Sequence, residues 1–80
     1  MATVVFSATQ RRLADGNERV DFEANRVTDL LTSIYTRFPK LDGKLDGSAV
    51  AIDGDIHNDA QFLRLEHDSE VHFLAQVQGG

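Results

Sequence analysis

"NRVTDLLTSIYTRFP", residues 25–39, is the stretch on which the fold of this chain turns. Its apolar residues are Val27, Leu30, Leu31, Ile34, Tyr35 and Phe38, separated by steps of 3, 1, 3, 1 and 3. Such steps draw one apolar stripe along one side of an α-helix. Asn25 stands where an N-cap side chain would accept a backbone N–H, and Asp29 complements the positive end of the helix dipole. Pro39 closes the run, because the residue before proline avoids helical backbone angles. One amphipathic helix needs an apolar surface to lie on, so the flanking sequence has to supply a sheet.

The flanks read as strands. "TVVFSA" (residues 3–8) alternates, with Val4, Phe6 and Ala8 on one face and Thr3, Val5 and Ser7 on the other. "RVDFE" (residues 19–23) alternates again, with Val20 and Phe22 inward. Between them Asp15-Gly16-Asn17 is a turn signal, so the two segments read as a hairpin. After the helix, "KLDGKLDG" (residues 40–47) repeats Leu-Asp-Gly at a period far too short for a solenoid and reads as loop. "SAVAID" (residues 48–53) gives a strand with Val50 and Ile52 inward. A helical turn follows near residues 60–62, then a brief strand near residues 63–65. "EVHFLAQV" (residues 70–77) is the last strand, with Val71, Phe73, Ala75 and Val77 on one face and His72, Leu74, Gln76 and Gln78 on the other. The fold class is α+β: a mixed sheet of four to five strands around one main helix, with the first and last strands parallel at its centre. That is a β-grasp, spanning residues 1–75, with a tail at residues 76–80 ending in Gly79-Gly80.

Eighty residues make one domain. The chain has no cysteine, which removes disulfides, thiolate metal sites and a cysteine nucleophile and fits the cytoplasm. Neither a signal peptide nor an apolar run long enough for a membrane span is expected. The net charge of −5 is lopsided: residues 1–40 carry six basic and five acidic side chains (+1), residues 41–80 two basic and eight acidic (−6). Such a C-terminal half repels phosphate backbones and argues against nucleic acid, while suiting a basic protein partner.

Several pieces in order carry a resemblance: "VVFSA", "RRLADG", "VTDLL" on the helix, "RFPKL" after it, Leu65 spaced ahead of Glu70-Val71, Phe73-Leu74, and terminal Gly79-Gly80. Together they resemble the ubiquitin-like sulfur carriers, in particular the small subunit of molybdopterin synthase, with the thiamine sulfur carrier as a cousin. The resemblance implies a carrier without catalytic residues of its own. An ATP-dependent, E1-like activating enzyme would adenylate the carboxylate of Gly80, and sulfide would displace AMP to leave a thiocarboxylate. A sulfur-accepting enzyme such as the molybdopterin synthase large subunit would take the sulfur. ATP would be used by the activating partner; no cofactor is expected to stay bound. Gly79 keeps the tail slim enough for a narrow channel, and Gln76 and Gln78 can hydrogen-bond along its wall without adding charge. Other sulfur pathways, such as those to thiamine or cysteine, stay open. So does a protein modifier joined through Gly80 to lysine.

The alternation places Leu74 on the face of the sheet away from the helix, and Ile56 near it; exposed apolar pairs of this kind mark partner surfaces. "DGDIHND" (residues 53–59) lacks the ligand order of a calcium loop and reads as an acidic turn. His67 and His72, five apart and without cysteine partners, read as surface or structural rather than metal-ligating. No metal is expected.

Overall fold

Residues 1–74 are described in the computed structural model. Strand β1 (Ala2–Val5) pairs antiparallel with β2 (Arg19–Phe22) and parallel with β5 (Glu70–Leu74). On its other side β5 pairs antiparallel with β3 (Ala49–Ile52), which pairs with β4 (Asp55–His57). The order across the sheet is β2-β1-β5-β3-β4. A six-residue helix, α1 (Ala8–Leu13), separates β1 from β2, and the main helix, α2 (Val27–Arg37), follows β2. Single 3₁₀ turns lie at Pro39–Leu41 and Ala60–Phe62. This is the expected β-grasp, with first and last strands parallel at the centre.

Alternation decides which face is covered. Val4, Val20, Phe22, Val50, Val71 and Phe73 are buried on one side, and Val27, Leu30 and Ile34 of α2 are buried with them. Phe6 and Phe38 meet edge to face, 5.8 Å between centroids at 89°, and close the core at the end of α2. The Leu-Asp-Gly repeat supplies two further core residues, Leu41 and Leu45. Tyr35 holds that loop: its hydroxyl donates to Asp46 Oδ1 at 2.8 Å and accepts the N–H of Leu45 at 3.1 Å. Burial and the neighbouring Asp46 carboxylate push the phenol well above its ordinary range, so it remains a donor.

Four expectations are corrected. The first strand ends at Val5, and residues 8–13 form α1 in place of a hairpin turn, so Ala8 is exposed on a helix. The reason is a capping box: Ser7 accepts the N–H of Gln10, and Gln10 accepts the N–H of Ser7. The N-cap of α2 is Arg26, not Asn25. Asn25 O accepts the N–H of Leu65, and the N–H of Val27 donates to Leu63 O, which keeps Arg26 extended. The segment at residues 63–65 contributes only an isolated bridge, Arg26 to Arg64. The fourth strand is instead β4, because Asp53 (φ +50°) and Gly54 (φ +92°) make a two-residue hairpin turn between β3 and β4. Two consecutive positive φ angles are the mark of a type I′ turn, for which Asp-Gly is suited.

Ser69 sits just before β5, buried, with its N–H donating to Glu66 O at 3.2 Å and its carbonyl accepting from Thr3 N at 2.8 Å. Its hydroxyl oxygen has no partner among the described residues. A buried hydroxyl without a hydrogen bond costs free energy relative to an alkyl group. Ser69→Ala is therefore expected to stabilise the protein by about 1 kcal/mol. Urea unfolding should show a raised midpoint at an unchanged slope, and a lowered midpoint would reveal a partner for the hydroxyl.

Candidate functional site

The face of the sheet away from α2 is open, and the pairing register sets out its residues in rows. One row crosses all five strands: Ile56 on β4, Ala51 on β3, His72 on β5, Val5 on β1 and Arg19 on β2. Toward the C-terminal end of β5, Leu74 pairs with Ala49. Toward its start, Glu70 pairs with Thr3, which pairs with Asp21.

The rows divide the face in two. On one side Ile56 (66% exposed) and Leu74 (39% exposed) stand above the two small alanines, Ala49 and Ala51. Large side chains flanking small ones make a shallow apolar saddle across β4, β3 and β5. On the other side polar, mutually bonded residues surround Val5. Arg19 Nη2 lies 2.8 Å from Glu70 Oε2, His72 Nε2 lies 3.0 Å from Glu70 Oε1, and Thr3 Oγ1 donates to Asp21 Oδ1 at 2.6 Å. His72 stands at the seam between the two halves. Glu70 is held below the ordinary carboxylate value, first by His72 and then by Arg19.

The saddle ends at Leu74, the last residue of the central strand. The carbonyl of Phe73, one residue earlier, accepts from Gln10 Nε2 at 2.9 Å. A face with an apolar saddle and a polar margin can dock a protein surface. Among the described residues no three His, Asp or Glu side chains could hold a metal ion, and no helix is long and apolar enough to cross a membrane.

The model of the ThiS family matches residues 4–80, nearly the whole chain. The chain belongs to the ThiS family. Its resemblance to the ubiquitin-like sulfur carriers is thereby borne out. Solved structures agree with the fold. A chain of the BexX/CysO complex of Amycolatopsis orientalis superposes with a TM-score of 0.80 at 16% identity, covering 100% of both chains. Small archaeal modifier protein 1 of Methanosarcina acetivorans gives 0.78 at 25% identity, covering 99% of this chain and 95% of that one. The complex of subunits 1 and 2 of the molybdopterin-converting factor of Helicobacter pylori gives 0.66 at 20% identity, covering 99% and 97%. No curated protein matches by sequence comparison.

In this ThiS-family chain Ile56 and Leu74 share the open face, two strands apart. Gln76, Gln78, Gly79 and Gly80 lie outside the described residues. His67 and His72 are separated: His67 Nδ1 meets the N-terminal amine at 3.3 Å, while His72 belongs to the open face. The acidic stretch at residues 53–59 is the β3–β4 hairpin and its exit, with Asp53 Oδ1 accepting the N–H of Glu70 at 2.8 Å. Sequence reasoning gave no site role to Arg19, Glu70 or Gln10, although Glu70 belongs to one of the pieces that carry the resemblance. The two-residue alternation placed His72 beside Leu74 and was the available signal for Glu70 also. Nothing short of the strand register joins Arg19 to them.

The Glu70 network predicts a pH dependence. Its folded-state pKa lies below the usual 4.5, so the unfolded chain takes up the proton first on acidification. The network's contribution to stability is thus complete above 4.5 and is lost as pH falls below it through the depressed folded value. The stability difference between the native protein and Glu70→Gln, measured by urea unfolding, should be largest above 4.5 and shrink toward acid pH. A difference that grew on acidification would reverse the sign and remove the network.

Proposed function

We propose that this protein is a sulfur carrier and that Gly80 is its reacting end. The observation that carries this reading is the ThiS-family match over residues 4–80, which includes Gly79-Gly80. A free α-carboxylate has a pKa near 3.3–3.7 and is a poor acyl donor. An ATP-dependent, E1-like activating enzyme transfers AMP to the carboxylate and releases pyrophosphate. Sulfide attacks the acyl carbon, AMP leaves, and the thiocarboxylate of Gly80 remains. A sulfur-accepting enzyme takes the sulfur in a pocket that excludes water. The carrier supplies the acyl group and the docking face; the partners supply the catalysis.

We assign the open face to docking, with Ile56 and Leu74 as the apolar anchors and Gln76, Gln78 and Gly79 as the segment threaded toward the partner's site. Six residues, 75–80, carry the chain from Leu74 to its Gly80 carboxylate. At about 3.3–3.6 Å per residue they reach at most some 20 Å beyond the saddle. A partner bound on the saddle therefore has the carboxylate within its own radius.

The pathway we favour is molybdopterin synthesis in the cytoplasm, with the synthase large subunit as acceptor. A fold match to a complex of two molybdopterin-converting-factor subunits is consistent with this. The match at 25% identity to a small archaeal modifier protein favours a second reading, in which Gly80 is joined to a lysine of a target protein. Both begin with the adenylate and differ in the final nucleophile.

Incubated with its activating enzyme, ATP and sulfide, the protein is expected to gain the mass of one sulfur in place of one oxygen, located at Gly80 by fragmentation. One residue added after Gly80 should block the reaction, since it moves the carboxylate by about 3.3–3.6 Å. Isopeptide-linked products on target lysines would favour the modifier reading, and equal thiolation of the extended chain would refute the mechanism. Separately, Leu74→Asp should weaken binding to the activating enzyme roughly tenfold or more, because it sets an unpaired charge in an apolar contact. Its circular dichroism should be unchanged, and undiminished affinity would remove the saddle from the interface.

A further inference from the structure

Gln10 lies on α1 but is only 5% exposed, one of two buried polar side chains among the described residues. Both ends of its carboxamide are bonded. Oε1 accepts the N–H of Ser7 at 3.0 Å, and Nε2 donates to the carbonyl of Phe73 at 2.9 Å. The place of these bonds in the β1–β5 ladder is informative. Thr3 N–H donates to Ser69 O at 2.8 Å. A parallel ladder repeats every two residues, so continued regularly it would set Ser7 N–H against Phe73 O. At Ser7, however, the chain has already turned away into α1. The carboxamide of Gln10 fills the gap, accepting from one group and donating to the other as a peptide unit would.

We propose that Gln10 is a positioning residue for Gly80. Its carboxamide carries two-sided bonding on to Phe73 after β1 has turned away, and thereby holds the strand end from which residues 75–80 continue. The inference rests on Gly80 being the reacting end. Without the carboxamide, Phe73 O loses its partner where β1 has departed, and a buried carbonyl without one is rarely tolerated. The end of β5 would then release its outer rungs, and each rung moves the root of the last six residues by about 3.3 Å. Displacements of about 1 Å at a reacting centre can cost a hundredfold in rate.

Two variants separate this role from helix capping. A capping box works with glutamate as well as glutamine, so Gln10→Glu keeps the bond to Ser7 N–H. At neutral pH its carboxylate cannot donate to Phe73 O. Gln10→Met fills the same space and makes neither bond. The measurements are amide hydrogen-exchange protection along the chain and steady-state adenylation of Gly80 by the activating enzyme.

In Gln10→Glu, protection of Phe73 and Leu74 should fall about tenfold or more while that of α1 holds, and kcat should fall with little change in KM, because the open face is intact. Acidification that protonates the introduced carboxylate should restore protection at Phe73 by returning a donor. In Gln10→Met, protection should fall in both places. Unchanged protection at Phe73 and Leu74 in both variants would reduce Gln10 to a helix cap and overturn the proposal. Lost protection with native kcat would also overturn it, leaving the carrier reading standing. Failure of the native protein to be adenylated at Gly80 would remove the carrier reading and this proposal together.

Discussion

The pairing of the first strand with the last, parallel and at the centre of the sheet, is the constraint from which the rest of the molecule follows. Val4 and Val71 face each other across it, both fully buried. Parallel neighbours cannot be joined by a tight turn. The intervening chain must therefore leave β1, cross the sheet and return. It does so with a helix, α2, whose stripe of Val27, Leu30 and Ile34 covers the seam. Only the outer positions remain for the other strands, and β2, β3 and β4 take them as antiparallel partners. The seam joins segments more than 60 residues apart in sequence. Its closure entropy is met only once the core that spans it has formed.

Covering one face leaves the other to be managed by side chains alone. Antiparallel neighbours on both sides permit a sheet to meet water on one face. In this protein only half of that face is made polar. The Arg19–Glu70–His72 and Thr3–Asp21 contacts occupy the half over β2 and the start of β5, where charges bond to one another. The half that leads to the C-terminal end of β5 keeps Ile56 and Leu74 with only alanines between them. Stability does not require that division, since exposed apolar side chains contribute nothing to the core. The proposed carrier role accounts for it, with a partner docked on the half of the face that holds Leu74.

The helix and the order of the strands were legible because they depend on periodicity, which is a local property. The steps of the 27–38 stripe and the alternation at residues 3–6, 19–22 and 70–74 carry over directly into burial. The features that escaped depend on single side chains that replace backbone. Ala8 read as strand and residues 9–13 as part of a turn because Asp15-Gly16-Asn17 is the louder signal; the capping box at Ser7 and Gln10 is a match of only two residues. Residues 53–59 read as an acidic turn and not as a hairpin, because β4 is three residues long and shows too little alternation to be seen. Arg26 displaced Asn25 as the N-cap because a long-range bridge overrode local preference. At the open face, alternation located Leu74, whereas the Arg19–Glu70 pair needed the register of strands 51 residues apart.

The position of β5 also bears on how a carrier can present a chain end accurately. An edge strand is bonded on one side only and frays readily; a central strand is bonded on both. Strand β5 has β1 on one side and β3 on the other until β1 turns away at Ser7. Beyond that point a central strand would become an edge strand, and the accuracy of the root would be lost where it is needed. The buried carboxamide of Gln10 extends two-sided support to Phe73, while the pairing of Leu74 with Ala49 holds the opposite side. Both supports act at adjacent residues, the last two described in β5. A strand bonded on both sides defines a fixed origin for the residues that follow. The residues beyond it can then be chosen for access to a partner's site, which is where two successive glycines are better suited than any residue with a side chain.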